Sequence, residues 1–130
     1  MTSLETASIW IALNILLLVF LSARVGQARS KNKVNLGHGD NDEVLAAVRC
    51  QGNYIEYAPA ALLGLTVLAM IGGGVLLINI LGGVFFFGRL AHMAGLGMGV
   101  WSKGRMVGTM LTMLTLLATA FSLIFYAFTG

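Results

Sequence analysis

Apolar residues fall into four long runs separated by polar or glycine-rich breaks. Between Glu5 and Arg24 lie 18 uncharged residues, Thr6 to Ala23, which predict a first helix over about 6–24. The segment before it carries Glu5 and no basic residue, unlike a cleaved leader, so this helix is expected as a retained span with Trp10 anchoring at an interface. Arg24 to Asn41 follows as a polar loop. A second helix over 42–71 is required by length. Only 15 uncharged residues, Tyr57 to Ile71, separate Glu56 from Gly72-Gly73-Gly74, and a crossing needs about 20, so it must begin upstream of Glu56. Asp40, Asn41 or Asp42 can cap it, Glu43 suits its first turn, and Pro59 is expected to kink it. Such a helix is about 45 Å long, more than the hydrocarbon core, so its first turns should project into water. A triple-glycine turn leads to a third helix over 75–96. A glycine-rich loop, Gly95 to Gly99, then leads to a fourth helix over 105–128.

The second helix carries the chemistry. Arg49, Asn53, Glu56 and Tyr57 stand at i, i+4, i+7 and i+8, within an arc of roughly 100°. They form one polar stripe at membrane depth, where ionisable groups are costly and usually face a protein interior or a cavity.

Composition agrees with a membrane protein. Of the residues, 58% are hydrophobic and 10% charged, against about a quarter charged in soluble domains. The expected fold class is an all-α integral membrane protein, a four-helix bundle forming one domain over 1–130. All eight Lys and Arg lie in the first and third loops or on the helix ends bordering them. The positive-inside rule then puts those loops in the cytoplasm and both termini on the other side. No basic patch is interleaved with aromatics, which argues against nucleic acid.

Several polar groups have both a structural and a functional reading. Arg49 can snorkel to the interface or offer a fork for a carboxylate. Glu56 can pair with Arg49 or accept an ammonium group or an amide. Asn53 and Gln51 can join helices by hydrogen bonds or orient a ligand, and Tyr57 can pack or donate. Together the stripe suits a zwitterionic, peptide-like ligand. Arg89, His92, Lys103 and Arg105 border the third loop. Most of that cluster reads as topology signal and lipid headgroup contact, though an arginine at the start of the fourth helix can lower the pKa of a thiol. His92 and His38 lack the spacing of a metal site, and none is expected. Cys50 reads as a packing residue. Gly95-x-x-x-Gly99 and Gly104-x-x-x-Gly108 match the small-residue packing spacing but overlap helix ends.

The run Arg49-Cys50-Gln51-x-Asn53-x-x-Glu56-Tyr57-x-Pro59 resembles the second-helix motif of the MAPEG family. These are membrane-associated proteins of eicosanoid and glutathione metabolism, including microsomal glutathione transferases. Ser22-Ala23-Arg24 and Gly88-Arg89-Leu90 resemble the family too. The resemblance implies a homotrimer with glutathione bound between neighbouring subunits; the compact loops point to a bacterial member, in the inner membrane. It implies Arg49, Asn53, Glu56 and Tyr57 as ligands from one subunit, and Arg24 and Gln51 from the next. Arg105 matches the thiol-activating arginine, with Lys103 as a rival. His92 stands where a family member has a tyrosine, and Leu96 where a second tyrosine is expected. The implied activity is a glutathione (or related thiol) transferase or peroxidase. Its hydrophobic co-substrate would arrive laterally among the membrane lipids. Two alternatives remain open: a non-catalytic lipid-binding or scaffold protein of the same fold, and a small multidrug-type transporter using Glu56. Arg49 on the same face argues against the transporter's cation cavity.

Overall fold

A computed structural model describes residues 1–130 as four long helices and no strand. Helix α1 spans Ser3–Asn32, α2 Asp42–Met70, α3 Val75–His92 and α4 Gly104–Thr129; α3 continues into a π-helical turn, Met93–Gly97. Each of α2, α3 and α4 lies where the apolar runs place it. The first helix does not end at Arg24. It runs on through Arg29 and Lys31 to Asn32, so the loop expected over Arg24–Asn41 shrinks to the few residues after it. Arg, Lys, Gln and Ala are good helix formers, and polarity alone does not stop a helix once it has left the membrane. Lys33 ends it in the left-handed conformation, its N–H donating to the Arg29 carbonyl.

Helices α1 and α2 have 30 and 29 residues, and both outrun a hydrocarbon core of about 30 Å. Their overhanging ends meet side by side. Asn41 caps α2 through the Val44 N–H, and its amide nitrogen donates to Asn32 Oδ1. Asn32 in turn donates to Glu43, which Lys31 also reaches at 3.2 Å. Helix α2 continues through Pro59 without a break. At the opposite end Gly72, at φ +102°, makes the turn into α3, and the Gly73 N–H donates to the Leu68 carbonyl.

Helix α4 is inverted relative to a helix of a water-soluble bundle, whereas α1, α2 and α3 bury leucines, Ile78 and Phe85. The buried positions of α4 are Gly104, Gly108, Thr112, Thr115 and Thr119, while Met106, Met110, Leu114, Leu117, Phe121, Phe125 and Phe128 point outward. Lipid solvates large apolar side chains as well as a core does, so close approach through small residues drives packing instead. Helices α1, α4 and Val75–Gly97 are each long and apolar enough to cross a membrane. Helix α2 packs against all three, whereas α1 and α4 do not touch. The protein is an all-α membrane bundle with α2 and α3 across its short diagonal.

Trp10 packs on Gly83 of α3 at 3.4 Å from where a Cβ would stand, with its indole N–H donating to Asn79 Oδ1. Nearby Tyr54 is buried and donates to the carbonyl of Asn14, a wholly buried residue whose amide caps the Trp10 carbonyl. Tyr54 and Asn14 are thus tied to backbone acceptors inside the bundle, as an apolar medium favours.

Candidate functional site

The α2 stripe divides into outward and inward members. Arg49 and Glu56 approach to 3.8 Å on an open face, with side chains 54% and 52% exposed. A half-exposed pair at that distance contributes little to stability, so neither group is committed to its partner. Tyr57 is half-buried against the core around Tyr54 and Phe85. Asn53 turns inward toward α3. Gln51, about 200° around the helix from Arg49, faces α1 and donates to Ser22 Oγ at 2.8 Å.

Asn53 shares a groove of about 520 Å³ with His92, Ser102, Arg105, Met106, Thr109 and Met110. Three sequence-derived candidates, Asn53, His92 and Arg105, therefore come together from α2, α3 and α4. Arg105 is exposed in the first turn of α4, where the positive end of the helix dipole adds to its guanidinium charge. Lys103 precedes that helix and does not line the groove. His92 is 1% exposed, and its Nδ1 has no hydrogen-bond partner. The groove lining carries no acidic residue, while the two methionines supply a soft apolar wall.

Glycines bring these groups within reach. A Cβ on Gly108 would stand 2.5 Å from both the Gly88 carbonyl oxygen and the His92 nitrogen, and one on Gly104 would stand 2.9 Å from the Gly95 nitrogen. Gly104-x-x-x-Gly108 is thus the close contact of α4 with α3 and the π-helical turn, joined by Gly95, whereas a Cβ on Gly99 would meet nothing.

Arg89 does not reach the headgroups, contrary to the sequence expectation. It is 2% exposed between α2, α3 and α4. One terminal nitrogen donates to Thr112 Oγ1 at 3.0 Å, and the other to Asn53 Oδ1 at 2.6 Å. The Thr112 hydroxyl passes its own proton to the Gly108 carbonyl at 2.8 Å. No carboxylate lies within ion-pair reach of Arg89.

Arg24 lies outside that groove. It lines a cleft of about 460 Å³ with Gln27, Lys31, Glu43, Leu96 and Gly97, and donates to the Gly97 carbonyl at 3.0 Å. The π-helical turn presents that carbonyl, since widening the helix by one residue frees backbone acceptors from the usual ladder. Leu96, at the position of an expected tyrosine, faces this cleft rather than the groove of His92. Cys50 is 2% exposed and packs behind Gly97, in keeping with its reading as a packing residue.

Within the chain, then, Asn53, His92 and Arg105 share a groove, Arg49 and Glu56 pair on the open face of α2, and Arg24 and Gln51 lie toward α1. The sequence reading missed Arg89 and Thr112 as a buried pair. The α4 spacing Gly104, Gly108, Thr112, Thr115, Thr119 was the available signal, because a stripe of small and hydroxyl residues on an otherwise large apolar helix marks its packed face.

The MAPEG family model matches residues 7–125. The inner membrane protein YecN of Escherichia coli, in strain K12 and in strain O6:H1, is 33% identical over 89 residues, covering 68% of this chain and 68% of that protein. No solved structure matches. With a family match running through all four helices, and the Arg49-to-Pro59 motif on the second of them, the chain belongs to the MAPEG family.

Proposed function

We propose that this protein binds glutathione, or a related low-molecular-weight thiol, and transfers it to hydrophobic electrophiles or uses it to reduce lipid hydroperoxides. The observation that carries the reading is the division of the candidate residues between two faces. Asn53, His92 and Arg105 line an acid-free groove between α2, α3 and α4, while Arg24 and Gln51 lie toward α1. Arg24 lines a cleft that shares no residue with that groove, so a single copy presents the two sets on separate surfaces. A ring of subunits with the α1–α2 side of one against the groove side of the next would bring them together, and the homotrimer that the family resemblance implies is proposed as that ring.

In this reading Arg49 and the free faces of Asn53 and Glu56 orient the tripeptide. Arg105, at the positive end of α4, stabilises its thiolate by charge. The thiolate sulfur attacks the electrophilic carbon, the bond to the leaving group breaks, and the leaving group departs with the electron pair. The apolar outer surface of α4, with Met106 and Met110 beside the groove, admits the co-substrate from the bilayer. By the positive-inside rule the site opens to the cytoplasm, and the inner membrane of a bacterium is the proposed location.

Calorimetry of glutathione against the purified protein, followed by conjugation assays, tests this. Saturable binding is expected, with Arg105→Ala keeping much of the affinity but losing about 10²–10³ in kcat, as for removal of one charge-stabilising donor. Absence of binding by folded wild-type protein would overturn the thiol reading. Binding without turnover would leave a ligand-binding protein of the same fold.

A further inference from the structure

We propose that Arg89 is a positioning residue that fixes Asn53 as a hydrogen-bond donor, so that this point of the groove receives only an acceptor group of the ligand, a carboxylate or carbonyl oxygen or the thiolate itself. The inference rests on the thiol-binding reading above and deepens it.

The two side chains differ in what they can offer a hydrogen-bond partner. An asparagine amide is two-faced, with an oxygen that accepts and a nitrogen that donates, and rotation by half a turn exchanges them. A guanidinium has only donors. Arg89 holds Asn53 at 2.6 Å, so the atom it holds must be the amide oxygen. The amide nitrogen is then the branch left over, and it has no hydrogen-bond partner within the protomer while Asn53 lines the groove.

Arg89 cannot swing away. It is 2% exposed, and its second terminal nitrogen is anchored on Thr112, whose hydroxyl is committed to the Gly108 carbonyl on the same helix. The direction of every proton in this chain is set: Arg89 to Thr112 to backbone on one side, Arg89 to Asn53 on the other. Flipping the amide would put its NH2 group against the guanidinium in a buried, weakly screened place, where facing donors repel. A buried cation without a carboxylate partner is a costly element for a membrane bundle to keep. Packing alone does not call for it, since an apolar side chain would fill the same space.

The test is a double-variant cycle on the full-length protein in detergent, read by glutathione calorimetry and thermal unfolding. Asn53→Ala is expected to weaken glutathione binding about tenfold, one hydrogen bond to a charged group. Arg89→Met is expected to weaken it by a similar factor, because the amide is then free to turn. The combined variant should bind no more weakly than Asn53→Ala alone, since Arg89 acts through Asn53. A merely structural or direct role for Arg89 predicts a further loss in the combined variant, and that result would overturn the proposal. Should Arg89→Met fail to fold, Asn53→Asp decides. It keeps the bond to Arg89 but turns an acceptor toward the groove, so unfolding temperature should hold while glutathione affinity falls at least as far as in Asn53→Ala. Wild-type-like affinity in Asn53→Asp would sink the donor assignment. Wild-type protein that binds no glutathione overturns the thiol reading itself, and the assignment with it.

Discussion

Replacing Gly108 with alanine puts the heaviest demand on this architecture. The added Cβ would lie 2.5 Å from the Gly88 carbonyl oxygen, 2.5 Å from the His92 nitrogen and 2.6 Å from the His92 Cβ. All three belong to or adjoin the α3 backbone, so no flexible side-chain end can give way. Ordinary contact begins near 3.4 Å, and α3 and α4 must part locally by about 0.9 Å. The Arg89–Thr112 bond, now 3.0 Å, crosses the same gap one turn further along and would stretch beyond hydrogen-bonding range. Overpacking costs about 1–3 kcal/mol, and a lost bond to a charged group about as much. Together these give an expected destabilisation of about 2–6 kcal/mol. Unfolding in detergent, followed by helical circular dichroism against increasing denaturant, measures it. Gly26→Ala is the control. Nothing lies within 4 Å of a Cβ there, so the helix-propensity gain of about 0.5–1 kcal/mol should appear instead. A loss below about 0.5 kcal/mol in Gly108→Ala would refute the close α3–α4 contact and the placement of His92 beside Arg105 that depends on it.

Two further outcomes follow from the bonds that hold the ends and centre of the bundle. Tyr54→Phe removes the donor that serves the Asn14 carbonyl and side-chain oxygen, and should cost about 1 kcal/mol by the same unfolding assay without altering glutathione affinity. At the overhanging end, the hydrogen bond from Asn32, and after it Lys31, holds the Glu43 carboxyl below the ordinary carboxylate pKa. A depressed folded-state pKa stabilises the protein above the unfolded carboxylate value and is lost as pH falls through the folded one. Acid unfolding profiles should therefore show wild type losing stability below about pH 4.3 by an increment that Glu43→Gln lacks.

The four helices were legible because each needs a long uncharged run, and the runs in this chain are bounded by charges or glycines. The end of α1 was misread for the complementary reason. Hydropathy reports where a helix leaves lipid, and Arg24 to Asn32 leave lipid without leaving the helix. Trp10 reads as an interfacial anchor in one dimension, but Gly82 and Gly83 open a place for it against α3 that only the folded pair reveals. Arg49, Asn53, Glu56 and Tyr57 were legible as one stripe because helical spacing is fixed. Asn53 alone of the four reaches the groove of His92 and Arg105.

By itself the sequence determined the class of protein, the number of helices, the side on which the basic residues gather and the family motif, all of which depend on local spacing and on the cost of charge in lipid. Tertiary structure alone decided which residues share a site. Arg89 and Thr112 are 23 positions apart, and Arg89 and Asn53 36, yet they form one chain of hydrogen bonds. That chain exists because Gly88, Gly104 and Gly108 let two backbones approach, and an approach between helices is a property of both surfaces at once. A charge at a helix end has the same hydropathy whether it meets headgroups or an asparagine; its neighbours settle what it does.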